Sequence, residues 1–186
     1  MPSLPSRRAA AILLIGLLTL LDGCGPGKDE FPPACPRADL LWEAADLSRY
    51  RDESSTAIQD IRDLVLSARI IAIPAKCQQG DAANQIAADV GVTIQFTRGP
   101  AMQGRTVDVP FFLAATEGGR VLDKKVYVMR VIFPENVDQV ALTSEGVHMV
   151  FPVSATKSGA AYTVLAGFQL TEQELAFNRR KGVGHP

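Results

Sequence analysis

Phe111-Phe-Leu-Ala-Ala-Thr-Glu-Gly-Gly-Arg-Val-Leu-Asp-Lys-Lys-Val-Tyr-Val-Met-Arg-Val-Ile-Phe133 reads as two strands joined by a tight turn. The apolar run Phe111 to Thr116 leads into Glu117-Gly118-Gly119-Arg120, and Val121 to Phe133 leads out of it. Adjacent glycines reach positive φ without a Cβ clash, which the central residues of a two-residue hairpin turn require. The second strand is apolar on both sides. Val126, Val128 and Ile132 fall on one face, and Tyr127, Met129, Val131 and Phe133 on the other. Such a strand is either central and covered twice, or it presents one face to another protein. Soluble domains rarely expose large apolar patches, which favours the first arrangement.

The same alternation recurs on both sides of this hairpin. Val90, Val92, Ile94 and Phe96 alternate with Gly91, Thr93 and Gln95, the period of a half-buried strand. Val147, Met149, Phe151 and Val153 alternate with His148, Val150, Pro152 and Ser154. Tyr162, Val164, Ala166 and Phe168 do so with Thr163, Leu165, Gly167 and Gln169, after a turn near Lys157-Ser158-Gly159. Over Leu64 to Ile73, the run Ile70-Ile71-Ala72-Ile73 before Pro74 favours a strand, although Ile58, Ile61, Val65 and Ala68 also suit a helix. Residues 38–47 fit a short strand or a helical turn equally well. Six or seven short strands without alternating helices predict a mainly β fold, an antiparallel β-sandwich of the immunoglobulin-like class. Thr171-Glu172-Gln173-Glu174 is a capping box with Leu170 and Leu175 at its staple positions, so a short C-terminal helix is expected from Glu172 to about Arg179. Residues 182–186 read as a frayed tail.

The N-terminus has a different character. Arg7 and Arg8 precede Ala9 to Leu21, thirteen residues whose only polar side chain is Thr19. A positive segment followed by a short apolar one is the layout of a secretory signal, and the run is too short to cross about 30 Å of hydrocarbon. Leu21-Asp22-Gly23-Cys24 closes the run and resembles the lipobox of bacterial lipoproteins, in which the cysteine takes a diacylglycerol and becomes the acylated first residue of the mature chain. Asp22 departs from that pattern, which carries a small uncharged residue there. The residues also admit ordinary cleavage near Gly23 or retention of the segment as an anchor helix. The expected organisation is a signal peptide over 1–23, lipidated Cys24 with a Pro/Gly-rich tether over 24–34, and one sandwich domain over 35–181. Three acyl chains would make attachment effectively permanent, since each buried CH₂ contributes about 0.8 kcal/mol.

The whole chain carries 19 basic and 20 acidic side chains, and the segment before Cys24 removes two arginines and one aspartate, leaving a mature net charge of −2. Nothing in that overall balance draws the protein to nucleic acid or to anionic lipid. With Cys24 acylated, Cys35 and Cys77 remain as an even pair in an oxidising compartment, where a bond between them is expected; two unrelated buried thiols are the alternative. Neither cysteine has a short-spaced Cys or His partner, and the histidines, His148 and His185, lie far away in sequence, so no metal site is expected.

Candidate chemistry is sparse. His148 falls on the polar side of its strand with no nucleophile beside it, and reads as a surface histidine rather than a general base. Glu135, Asp138 and Glu145 match no calcium-loop spacing and read as solvated carboxylates. Lys124-Lys125 and Arg179-Arg180-Lys181 are short basic clusters, the second placed to complement a helix C-terminus. Arg98-Gly99-Pro100 reads as a turn. The residues offered for partner contact are Tyr127, Met129 and Val131.

The lipobox, Cys35-Pro36, Cys77, Arg98-Gly99-Pro100-Ala101, Pro110-Phe111-Phe112, and the close from Gly167-Phe168-Gln169-Leu170-Thr171 to Asn178-Arg179 together resemble a family of uncharacterised alphaproteobacterial lipoproteins. The resemblance spans most of the mature chain and implies an envelope location and one compact domain, with no catalytic residue to carry over. Gly25 behind the lipidated cysteine, where an aspartate would retain the protein in the inner membrane under the enteric sorting rule, implies the outer membrane. The expectation is a periplasm-facing lipoprotein, held to the membrane by Cys24, that is not an enzyme, needs no cofactor, and binds or supports another envelope protein. A small-ligand or carbohydrate-binding sandwich is the alternative.

Overall fold

The computed structural model describes residues 34–51 and 60–182. The signal peptide, the lipidation site at Cys24, the tether up to residue 33, His185 and most of the C-terminal tail lie outside the described residues.

The described chain is mainly β, with strands β1 (Arg37–Leu40), β2 (Asp46–Tyr50), β3 (Leu64–Ala72), β4 (Ala75–Gln79), β5 (Gln85–Val90), β6 (Thr93–Arg98), β7 (Thr106–Glu117), β8 (Arg120–Ile132), β9 (Gln139–Thr143), β10 (Val147–Pro152) and β11 (Tyr162–Phe168), and helix α1 (Glu172–Lys181). One layer of the sandwich is a sheet in the order β1-β11-β7-β8, antiparallel except where β1 runs parallel to β11. The other layer comprises two sheets, β2-β3-β6-β9 and β10-β5-β4.

The second layer is one long bent sheet. Strand β3 leads into β4, β5 into β6, and β9 into β10, and their order across the two halves is the same. The breaks fall side by side. Pro74 has no amide hydrogen with which to continue a ladder, but its carbonyl accepts from Gly91 N at 2.9 Å. Val92 O accepts from Ser144 N at 2.9 Å, while Val92 N donates to Ser144 Oγ at 3.0 Å. The bend is thus stitched by hydrogen bonds across all three strands. It separates β5 from β6 where one strand is expected, and β4 from β3 and β9 from β10; eleven strands are found among the described residues in place of the six or seven expected.

Between the layers, Val90, Val92, Ile94 and Phe96 are buried as their alternation requires, and they meet Val109, Phe111, Leu113, Met129, Val131, Phe133, Tyr162, Val164 and Phe168. The doubly covered strand is β7. Its inner face enters this core, and Phe112 and Ala114 on its outer face are buried under Ala44, Leu165 and Leu170. The expectation that Val121 to Phe133 is a central strand is corrected: β8 is the edge of its sheet. Residues 38–47 are neither a single strand nor a helix; they divide into β1, a 3₁₀ turn at Trp42–Ala44, and the start of β2.

One side of the sandwich is closed. The chain crosses between the layers from β1 to β2, and a disulfide between Cys35 and Cys77 links the entry of β1 to β4, with Cα atoms 6.0 Å apart. Helix α1 lies over this crossover. Its capping box forms as expected, Thr171 Oγ1 accepting from Glu174 N at 3.2 Å and Glu174 Oε2 from Thr171 N at 2.8 Å. Buried Glu174 also meets Arg49 of β2 at 3.3 Å. Asn178 Nδ2 donates to the carbonyls of Glu43 and Asp46, and Phe177 sets its ring edge-on to Tyr50.

Candidate functional site

The opposite side is open. There β8 forms the edge of one layer, and β9 and β10 form the edge of the other. A trough runs between these edges. The half nearer the β7–β8 turn encloses about 510 Å³ over Leu113, Tyr127, Met149, Phe151 and Tyr162, with Glu117, Asp123, Lys125, His148 and Lys157 at its rim. The other half encloses about 590 Å³ over Phe111, Tyr127, Met129, Leu142 and Val147, bordered by Arg130, Thr143 and Glu145. Tyr127 and Val147 line both halves, which makes the trough continuous. Tyr127 is held by stacking on Phe111, with ring centroids 5.6 Å apart.

The ladder determines which backbone groups face the open edge. Pro110 O accepts from Gln169 N, so the backbone of Pro110 turns toward β11 and away from its β8 partner, Val128. Phe133 N, at the other parity, donates to Arg105 O on the β7 side. In an antiparallel ladder the bonding direction alternates with each residue. Tyr127, Met129 and Val131 therefore bond to β7, whereas Val126, Val128 and Arg130 direct their N–H and C=O groups outward. The earlier part of the strand is less regular: its register shifts between Ala115 and Thr116, and Lys124 and Lys125 stand beside the shift.

Glu117, Asp123, Lys125, Arg130, His148 and Lys157 at the rim each have a partner. Lys157 Nζ lies 2.7 Å from Glu117 Oε1 and 4.7 Å over the Tyr162 ring. The Glu117 carboxylate, and after it Tyr162, raises the lysine pKa above its ordinary value. Tyr162 OH donates to Pro152 O at 2.7 Å. His148 Nδ1 and Asp89 Oδ1 are 3.0 Å apart at an exposed position, as suits a surface histidine. Among the described residues no three of His, Cys, Asp and Glu come together as a metal site would need. Asp138 meets Arg98 at 3.6 Å. No helix among the described residues is long and apolar enough to cross a membrane.

The structure separates the three residues offered for partner contact. Tyr127 is half-buried and lines the trough, but Met129 is only 9% exposed and Val131 is fully buried, so this face belongs to the core. The outward set is the alternate one, with Val126, Val128 and Ile132 exposed by 50, 64 and 63%. Period-two alternation separates the two faces of β8 without saying which one meets β6. The trough residues Glu117, Lys157 and Tyr162 had no signal in sequence, because they converge only when β7, β10 and β11 are placed.

Compared with known proteins, the chain matches no family model, no curated protein and no solved structure.

Proposed function

We propose that this chain is a lipid-anchored, periplasm-facing lipoprotein, held in the outer membrane through Cys24, whose sandwich binds an extended segment of another envelope protein without catalysis. The observation that carries the binding reading is the pairing of an apolar trough with the outward backbone groups of β8. An extended peptide that adds to a sheet edge gains main-chain hydrogen bonds, and pockets beside the edge select its alternate side chains. The uncharged stretch from Val126 to Met129 provides about 14 Å of such edge at roughly 3.4 Å per residue.

The test follows from the ladder. Val128→Pro removes an outward N–H that β7 does not use, so the fold should survive while strand addition is blocked. A photoreactive residue at Val126, in full-length protein in its native envelope, should give a discrete protein adduct that Val128→Pro abolishes. The same residue at exposed Ile71 on the bent sheet should give none. Equal adducts at both positions, or an adduct indifferent to Val128→Pro, would refute the site. Cys24→Ser should abolish incorporation of a labelled fatty acid and release the protein from membranes; persistent incorporation would refute the anchor.

The half-trough nearer the β7–β8 turn favours a second reading, a small-ligand or carbohydrate site. Its volume lies within the usual range of ligand pockets, about 300–1,000 Å³, and Tyr127 and Tyr162 offer aromatic surface beside paired charges. Saturable binding of a small molecule that Tyr162→Ala removes and Val128→Pro leaves intact would favour it.

A further inference from the structure

The place where the chain enters the domain fixes which end lies nearest the anchor. Strand β1 runs parallel to β11, and Arg37 pairs with Thr163, Thr163 with Thr116, and Thr116 with Val121. One row across the sheet thus joins the start of β1 to the start of β8. Ala34, the first described residue, lies beyond this row, where its carbonyl packs on Gly159 so closely that a Cβ there would stand 2.1 Å from the oxygen. The entry point and the Gly118-Gly119 turn therefore share one end of the sandwich.

Lengths decide the consequence. Residues 24–33 number ten, and a flexible segment of that length spans roughly 18 Å root-mean-square. The far end of the β7–β8 pair, where Thr106 meets Ile132, is about 34 Å from the Val121 row at roughly 3.4 Å per residue. An upright domain on so short a tether brings the turn end to the bilayer and keeps the far end away.

That turn end has the chemistry of a membrane interface. Val121 and Leu122, directly after the turn, are exposed by 58 and 44%. Glu117 is answered by Lys157 and Asp123 by Lys125, which leaves Arg120 and Lys124 in local excess. Exposed aliphatic side chains flanked by cations suit the boundary between anionic headgroups and acyl chains. We infer that the domain stands on the bilayer surface on its β7–β8 turn, with Val121 and Leu122 seated among the headgroups and the trough running away from the membrane. This orientation rests on the lipid-anchoring reading above.

The test uses full-length, acylated protein in vesicles of phosphatidylethanolamine and phosphatidylglycerol. Cys24 is acylated and Cys35 and Cys77 are bonded, so an environment-sensitive dye can be placed on Val121→Cys or on Glu135→Cys, which lies in the turn at the far end. The Val121 dye should be blue-shifted, quenched by nitroxide-bearing lipid and shielded from aqueous iodide. The Glu135 dye should be quenched by iodide alone. Adding Leu122→Asp should return the Val121 dye to iodide while the protein stays on the vesicles. Acylated, vesicle-bound protein whose Val121 dye is as open to iodide as the Glu135 dye, or whose Glu135 dye is the one quenched from the lipid, would overturn the orientation alone. Purified protein whose mass shows no acyl groups would overturn the anchor and the orientation with it.

Discussion

Removing the disulfide by Cys35→Ala with Cys77→Ala should lower stability and release β1 before any other strand. The bond closes a loop across a sequence separation of 42, for which the chain-entropy relation gives about 4 kcal/mol at 25 °C. At about 2–4 °C per kcal/mol for a domain of this size, the midpoint of thermal unfolding should fall by roughly 8–16 °C. The local effect is set by how β1 is held. It has only four residues, three of them exposed, and its pairing is the parallel ladder to β11, followed by the bond from Leu41 N to Ala166 O at 2.9 Å. Without the link to β4, these amides should exchange first in a hydrogen-exchange experiment, well ahead of those between β7 and β8. Calorimetry of the double variant beside the reduced natural protein separates the cross-link from the side chains, since both should show the same loss. A midpoint within about 2 °C of the oxidised protein, with β1 amides equally protected, would refute the account of how this side is closed.

Three further outcomes test the packing and the rim. Gly159→Ala places a Cβ 2.1 Å from the Ala34 carbonyl oxygen and should cost about 1–3 kcal/mol in urea unfolding, whereas Gly146→Ala, with nothing nearer than 3.5 Å, should be close to neutral. Thr171→Ala removes the cap on Glu174 N and should cost about 1 kcal/mol by the same measurement. Because Glu117 raises the Lys157 pKa, the pair should contribute fully below the ordinary lysine pKa and be lost as pH rises through the raised one; a ¹³C titration of the Lys157 ε-carbon should show its midpoint falling in Glu117→Gln, and an unchanged midpoint would refute the pairing.

Much of this fold is legible because its rules are local. Gly118 and Gly119 take φ of 56° and 82° in the turn where they were expected, the capping box forms, and Val90, Val92, Ile94 and Phe96 all face the core. The rest depends on distant residues. The bend at Pro74, Gly91 and Ser144 becomes visible only when three separate breaks are aligned, so the sequence suggests one strand where β5 and β6 form and gives no sign of β4. Strands β1 and β2 bury few side chains and carry little alternation to read, and β9 is short, with only Val140 and Leu142 against the core. The cover over β7 comes from Ala44 and Leu170, which lie far from it in sequence, so the alternation of the hairpin alone does not show that β7 rather than β8 is buried on both faces.

The two sides of the sandwich also differ in how they treat unpaired backbone. Natural sheets defend their edges with charges, bulges or a covering segment, because an undefended edge invites another chain. The closed side uses the crossover, the disulfide and α1. On the open side, the register shift and Lys124 and Lys125 guard the beginning of β8, and Arg130, donating from Nε and Nη2 to the two carboxylate oxygens of Asp108, stands near the end. Between these guards, Val126 to Met129 has no charge, directs two sets of backbone groups outward and borders an apolar trough. A strand defended at both ends and bare in the middle differs from one exposed throughout. The defences limit the length over which another strand can pair, and so set a register. That selectivity suits a segment of defined length better than indiscriminate association of sheets, and it makes the response to Val128→Pro the measurement on which the binding proposal depends.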